Sequence, residues 1–192
     1  IFNTGSLGMG ISKINGLCYS DILKKKKYKN IVILGDGELQ EGQNWEALMY
    51  LQNHKKISPL IFIDHNSIQS DTWVKKIKDY SNLGNKIKSF KLNYKEINGH
   101  DKKQIMSTIE KHFKKDNGAT VVLANTVKGK GFSNFESSKF TKDLNFYPYH
   151  SGVVSQKLYL EAINEILIKI KAFTKNKKIK MPITKKSKII QT

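Results

Sequence analysis

Two short apolar runs, each closed by polar residues, constrain this chain more than any other feature. Ile31, Val32, Ile33 and Leu34 form a run that ends in Gly35-Asp36-Gly37. Leu60, Ile61, Phe62 and Ile63 follow Pro59 and end in Asp64-His65-Asn66. Runs of this length and branching read as buried strands. Between them, Glu41 to Asn53 places Trp45, Leu48, Met49 and Gln52 at helical spacing. Strand, helix and strand make one βαβ unit. Its crossover makes the strands parallel, so both carboxyl ends lie on one edge, where open α/β sheets bind ligands. Asp36 and Asn66 are therefore expected to converge there.

Their chemistry suits a diphosphate held through a divalent cation. Mg²⁺ takes oxygen ligands in a near-octahedral shell, usually shared with substrate phosphates. Asp36 offers a carboxylate oxygen and Asn66 an amide oxygen. A carbonyl just past Asn66, such as that of Ile68, adds a third; Ca²⁺ or Mn²⁺ would stand as alternatives. Gly35 and Gly37 remove side chains where phosphate approaches the backbone. The helix that follows would turn its N-terminal N–H groups toward the anion. Gly-Asp-Gly alone reads as a turn. A strand before it, and an Asn closing the next strand thirty residues on, turn that reading into a ligand site.

Together these segments form a known pattern. GDGELQEG, DHNSIQ, NGHD and TVKGKG, in this order, resemble the N-terminal, cofactor-diphosphate-binding portion of transketolases. The resemblance runs from Thr4 to about residue 170. It implies an α/β fold of the thiamine diphosphate-binding type, a parallel sheet flanked by helices. It implies thiamine diphosphate with Mg²⁺ as cofactors, Asp36, Asn66 and the Ile68 carbonyl as metal ligands, and Gly35, Gly37 and Glu38 beside the cofactor. Thr4 to Gly10 resembles the family's glycine-rich loop, which gives Gly5, Ser6 and Leu7 as cofactor contacts. Ser6 stands where many members have Pro. Glu41 keeps the spacing of a Glu that belongs to a proton relay at the interface between subunits. His150, in Tyr149-His150-Ser151-Gly152, matches a His that contacts diphosphate and donor sugar. The Gly-Ala-Pro that follows it in the family is Ser-Gly-Val here. Thr72 replaces a usual Gly in the turn after Asn66.

The implied activity is transfer of a two-carbon ketol unit between sugar phosphates. The family's pyrimidine-binding domain, with the Glu that activates the cofactor, has no counterpart in this sequence. The chain is expected to be one half of a split enzyme, N-terminally incomplete. Its expected partner is a pyrimidine-binding C-terminal transketolase subunit, in an assembly with two copies of the composite unit. Two alternatives remain: a related thiamine diphosphate enzyme, such as an amino-sugar pathway transketolase or a 1-deoxyxylulose-5-phosphate synthase-like protein, or a non-catalytic basic remnant of the fold.

Composition sets the remaining expectations. The 192 residues allow one domain with a real core; residues 1–172 are assigned to it and 173–192 to a Lys-rich disordered tail. Nine Lys and no acids lie from Lys169 to Thr192, half of the net charge of +18. All 34 basic residues are Lys. Base reading and planar phosphate clamping favour Arg, so a specific nucleic-acid role is not expected. No apolar run is long enough for a membrane span, and no secretory signal opens the chain, so a cytoplasmic protein is expected. Cys18 reads as a core thiol.

Elsewhere, Ile11 to Leu23 places Ile11, Ile14, Leu17, Cys18 and Ile22 on one helical face, with Gly16 suggesting close packing. Lys24 to Lys27 reads as a solvated run at that helix's C-terminus. Tyr80 to Ile87 reads as a short helix, Phe90 to Ile97 and Ala119 to Ala124 as strands. Lys102 to Lys115 reads as a helix capped by Asp101. His65 and His100 read as structural. Phe132 to Tyr149 shows no period and reads as a functional loop. Ser155 caps a last helix with Leu158, Tyr159, Ala162, Ile163, Ile166, Leu167 and Ile170 on one face.

Overall fold

A computed structural model describes residues 5–78, 82–115, 117–140 and 146–177. Thr4, the start of the helix expected at Tyr80, and the tail beyond residue 177 lie outside them. In chain order come α1 (Gly10–Leu23), β1 (Ile31–Gly35), a one-turn 3-10 helix (Gly37–Gln40), α2 (Gly42–Asn53) and β2 (Leu60–His65). The hairpin β3 (Ile68–Gln69) and β4 (Thr72–Trp73) follows, then α3 (Val74–Ile77), α4 (Leu83–Ser89) and β5 (Asn93–Asn98). Last come α5 (Lys102–Lys115), β6 (Thr120–Asn125) and α6 (Gln156–Lys177).

Four strands form one parallel sheet in the order β1-β2-β6-β5. Gly35 pairs with Asp64, and both His65 and Asn98 pair with Asn125, so the strands finish on a common edge. One face carries Leu34, Ile61, Ile63, Val121 and Leu123 against Ile11, Ile14, Leu48, Leu51 and Ile87 of the helices. The other carries Leu60, Phe62, Val122, Ala124 and Ile97 against Ile105, Ile109 and Phe113 of α5. Each fully buried aliphatic side chain stabilises the sheet by about 1.5–3 kcal/mol. Asp101 caps α5 as expected: its Oδ1 accepts the N–H groups of Lys103 and Gln104. Ser155 Oγ likewise accepts the N–H of Leu158.

Several packing expectations change. β1 is an edge strand, not a buried one. Ile33 shares a face with Phe62 but is 73% exposed. In α1 the inward residues are Gly10, Ile11, Ile14, Asn15 and Cys18, while Leu17 and Ile22 are exposed. Asn15 takes the inner position because its Nδ2 donates to the Ala47 carbonyl of α2 at 3.2 Å. Gly16 has open space where a Cβ would stand, so close packing is not its reason. Burial pushes the Cys18 thiol up to about 11, as befits a core thiol rather than a nucleophile. In α2 the buried set is Asn44, Ala47, Leu48 and Leu51; Met49 is exposed.

α6 differs most. Tyr159, Ile163 and Ile166 of its expected apolar face are exposed. Leu158, Ala162, Leu167 and Ile170 of the same face are half-buried, and polar contacts add to them. Glu165 accepts from the Ser133 N–H and hydroxyl and from Lys169, and Lys169 Nζ donates to the Gly131 carbonyl at 2.8 Å. The helix runs unbroken through the boundary expected at residue 172.

Candidate functional site

The ends of β1 and β2 each deliver one polar residue to the same place. Asp36 directly follows Gly35 and is only 2% exposed. Its N–H donates to the Asp64 carbonyl at 3.1 Å. Its Oδ1 accepts the Gly37 N–H at 2.8 Å, and its Oδ2 accepts the N–H of Ser67. Burial pushes this carboxyl above the usual carboxylate range; the Ser67 N–H, His65 and the Gly37 N–H pull it partly back, and Asp64 raises it further. A carboxylate in that position gains from added positive charge.

Asn66 stands at the neighbouring strand end. Its amide oxygen accepts the Ile68 N–H at 3.0 Å, and its Nδ2 donates to Asp64 Oδ2 at 3.2 Å. An amide oxygen has two lone pairs, so one is left beyond this turn. The Thr126 hydroxyl donates to Asp64 Oδ1. Asp64 thus orients Asn66 and ties the end of β2 to the loop after β6. Among the described residues no three His, Cys, Asp or Glu side chains gather as a metal cluster. Asp64 and Glu38 are engaged by Asn66, Thr126 and backbone N–H groups, which leaves the Asp36 carboxylate, the Asn66 amide oxygen and backbone carbonyls as the candidate donors.

The two glycines beside Asp36 differ. At Gly35 nothing lies within 4 Å of where a Cβ would stand. At Gly37 a Cβ would fall 2.4 Å from that of Gln69, whose side-chain oxygen accepts from Gln40. Space is therefore open beside Gly35, whereas Gly37 makes room for the β3–β4 hairpin. Gly37 also leads into the 3-10 turn rather than directly into α2.

The glycine-rich segment lies against the same edge. Gly5, Ser6 and Leu7 are exposed, Leu7 by 61%. The Gly8 N–H donates to Glu38 Oε1 at 2.9 Å, and the Gly35 N–H to Oε2 at 3.4 Å. Glu38 therefore stitches this loop to the end of β1. Glu41 caps α2 with its backbone, is exposed, and packs on Gly8, where a Cβ would stand 2.7 Å from its own.

The third wall is the segment after β6. The Val127 N–H donates to His100 Nε2 at 2.8 Å, so the turn after β5 props this loop. His65 likewise plays a supporting part, its Nδ1 lying 2.8 Å from Asn125 Oδ1. Phe132, Phe135, Phe140, Tyr147 and Tyr149 stack edge to face or tilted, which gives the aperiodic stretch a core of its own. The Tyr147 N–H donates to the Asp71 carbonyl of the hairpin, and its hydroxyl to the Phe135 carbonyl at 2.7 Å. Lys128 Nζ lies 3.0 Å from the Ser70 carbonyl, 3.1 Å from His150 Nδ1 and 5.3 Å from the centre of the Tyr147 ring. Burial lowers the Lys128 pKa, and Asp36, Asp64 and Asp71 pull it back up. His150 itself is exposed.

The structure thus brings Asp36, Gly35, Gly37, Glu38, Asn66 and Ile68 together, with Gly8 and Glu41 beside them. His150 contacts Lys128, which in turn reaches the β3–β4 hairpin at the Ser70 carbonyl. Asp64 and Lys128 are additions. A signal for each existed in the sequence: Asp64 lies in the strand end that holds Asn66, and Lys128 in the loop at the end of β6.

Comparison with known proteins follows the same lines. The family described as "Transketolase, thiamine diphosphate binding domain" matches residues 2–143. His150 lies just beyond that stretch. An apulose-4-phosphate transketolase subunit of Actinobacillus succinogenes is 35% identical over 134 residues, covering 70% of this chain and 48% of that protein. The 6-deoxy-6-sulfo-D-fructose transketolase subunit of Clostridium sp. (strain MSTE9) is 29% identical over 163 residues, 85% of this chain and 56% of that one. The chain spans about half the length of these relatives. The crystal structure of Campylobacter jejuni transketolase superposes with a TM-score of 0.63 at 21% identity, over 91% of this chain and 31% of that one, and so shares the fold.

Proposed function

Since the chain belongs to the transketolase thiamine diphosphate-binding domain family, we propose that it is the diphosphate-holding half of a split transketolase. One observation carries this reading: Asp36, buried between two strand ends, is held by backbone donors from both sides and lies next to Asn66 on the adjoining strand. An all-oxygen donor set of this kind suits a hard cation. Asp36, Asn66 and the Ile68 carbonyl would hold Mg²⁺, or Ca²⁺ or Mn²⁺ in its place, and the metal would hold the diphosphate. The raised carboxyl of Asp36 supports this fit, because a nearby cation favours the ionised form.

When bound, thiamine diphosphate supplies the carbon that carries a two-carbon unit from ketose to aldose; the protein orients it and shapes the charge around it. Gly5, Ser6 and Leu7 line the cofactor, and the exposed Leu7 offers an apolar surface for its ring. Gly35 leaves space for phosphate, while Glu38 holds the glycine-rich loop in place. His150 contacts diphosphate and donor sugar. Glu41, exposed at the same edge, passes protons across an interface between two copies of the composite unit. A second chain supplies the pyrimidine-binding half; the naming of both relatives as transketolase subunits supports this division. Those names carry a sugar phosphate and a sulfonated sugar, which supports a ketose with a terminal anionic group as donor.

The test is ketol transfer from a ketose phosphate to an aldose phosphate, with this chain, the pyrimidine-binding chain, thiamine diphosphate and Mg²⁺ each omitted in turn. Activity is expected only in the complete mixture. Full turnover by the isolated chain would overturn the split-site reading.

A further inference from the structure

Lys128 follows β6 and His150 closes the aromatic loop, yet the two side chains meet, with Nζ 3.1 Å from Nδ1. An ammonium has three donors and no acceptor. In this contact Nδ1 must therefore accept, which leaves the ring hydrogen of a neutral His150 on Nε2. The lysine cannot easily move away from this task. The Ser70 carbonyl takes another of its hydrogens at 3.0 Å. The buried Tyr147 ring lies 5.3 Å away. Burial works against its charge, and Asp36, Asp64 and Asp71 attract it. His150 Nε2 has no hydrogen-bond partner among the described residues.

We propose that Lys128 is a positioning residue that fixes His150 as the Nε2–H tautomer, so that the ring presents a hydrogen-bond donor to a phosphate oxygen of the bound ligand. This rests on the reading of His150 as a ligand-side residue. A phosphate oxygen only accepts, so a ring offering a bare Nε2 would repel it. Left to itself, a neutral imidazole can carry its hydrogen on either nitrogen, and which one is set by the hydrogen bond the other makes.

Imidazole ¹⁵N resonances of the full chain test this without any turnover. His150→Gln identifies the His150 signals. In the wild-type chain above the histidine titration range, Nδ1 should show the shift of a bare acceptor and Nε2 that of an N–H. Lys128→Met should move both toward the averaged values of a mixed-tautomer imidazole. Lys128→Arg, which still donates, should restore the fixed pattern, and Lys130→Met should leave it unchanged, since Lys130 pairs with Glu136 at 3.2 Å. Adding inorganic pyrophosphate with Mg²⁺ should shift Nε2. An Nδ1–H signal in the wild type, or identical tautomer averages in wild type and Lys128→Met, would overturn the tautomer assignment even if the methionine variant folds poorly. A fixed Nε2–H that pyrophosphate leaves unmoved would overturn the donor role. Either result is separable from the metal reading, because pyrophosphate binding through Asp36 is measured independently by calorimetry.

Discussion

The Asp36 carboxylate accepts the backbone N–H of Ser67, 31 positions further along the chain. One side chain thereby closes the gap between two strand ends and fixes where Asn66 starts its turn. The same carboxylate is the one proposed to hold a divalent cation.

Thiamine diphosphate binding should therefore depend on that carboxylate and on the metal. Asp36→Ala is expected to weaken binding by about 100-fold or more, on the order of 3 kcal/mol. His65→Ala should have far less effect, since its ring engages Asn125 instead. Calorimetric titration with Mg²⁺, and again with chelator, measures both; equal affinity in the two conditions would remove the metal from the reading.

Glu38 joins the Gly8 and Gly35 N–H groups, one on each oxygen. Glu38→Ala leaves both without that acceptor and should cost about 1–3 kcal/mol of stability. Glu38→Gln keeps one acceptor oxygen and should cost less. Denaturant melts of the two variants give the order, and an alanine variant as stable as wild type contradicts it.

The aromatic loop should behave as a packed unit. Tyr147→Phe loses only the bond to the Phe135 carbonyl and should cost about 1 kcal/mol. Tyr147→Ala opens a cavity among Phe140, Tyr149 and the hairpin and should cost about 3–5 kcal/mol. Equal effects from the two substitutions would argue against a packed cluster.

The clamp between α6 and residues 131–133 should titrate in acid. Lys169, then Ser133, holds the Glu165 carboxyl at about 2, against an ordinary value of 4.5. A depressed acid favours the folded state above its unfolded pKa and loses that effect as pH falls toward its folded one. The melting temperature of wild type should exceed that of Glu165→Gln above pH 4.5, and the difference should close as pH falls through about 2. A difference independent of pH would assign the effect to packing.

Glu41 should matter to turnover rather than to holding the cofactor. It is exposed, makes no side-chain cap to α2, and rests on Gly8. In the assembled enzyme Glu41→Gln should lower kcat well before it raises the cofactor Kd. A parallel loss of both would make it a structural residue of the glycine-rich loop.

Much of this was legible in the chain because it is local. Ile31 to Leu34 and Leu60 to Ile63 announce strands by their side chains, and the helix between them forces the strands parallel. That alone brings Asp36 and Asn66 to one edge. Asp101 and Ser155 read correctly as caps because a cap acts within three residues. The faces of α1 and α2 were less legible. Asn15 turns inward for the Ala47 carbonyl, a partner on another helix that no periodicity in α1 can reveal.

The sequence by itself determined the βαβ unit, the parallel sheet and the pairing of a carboxylate with an amide at its carboxyl edge, since short-range pattern and chain connectivity are enough for these. Only the tertiary structure decided that β1 lies at the edge with Ile33 uncovered, because sheet order is set by how the other strands pair. Only it decided that Glu38 holds Gly8, that Thr126 reaches Asp64, and that Lys128 meets His150. These contacts join residues 30, 62 and 22 positions apart. The loop packing that brings such residues together follows no repeat that a sequence can display.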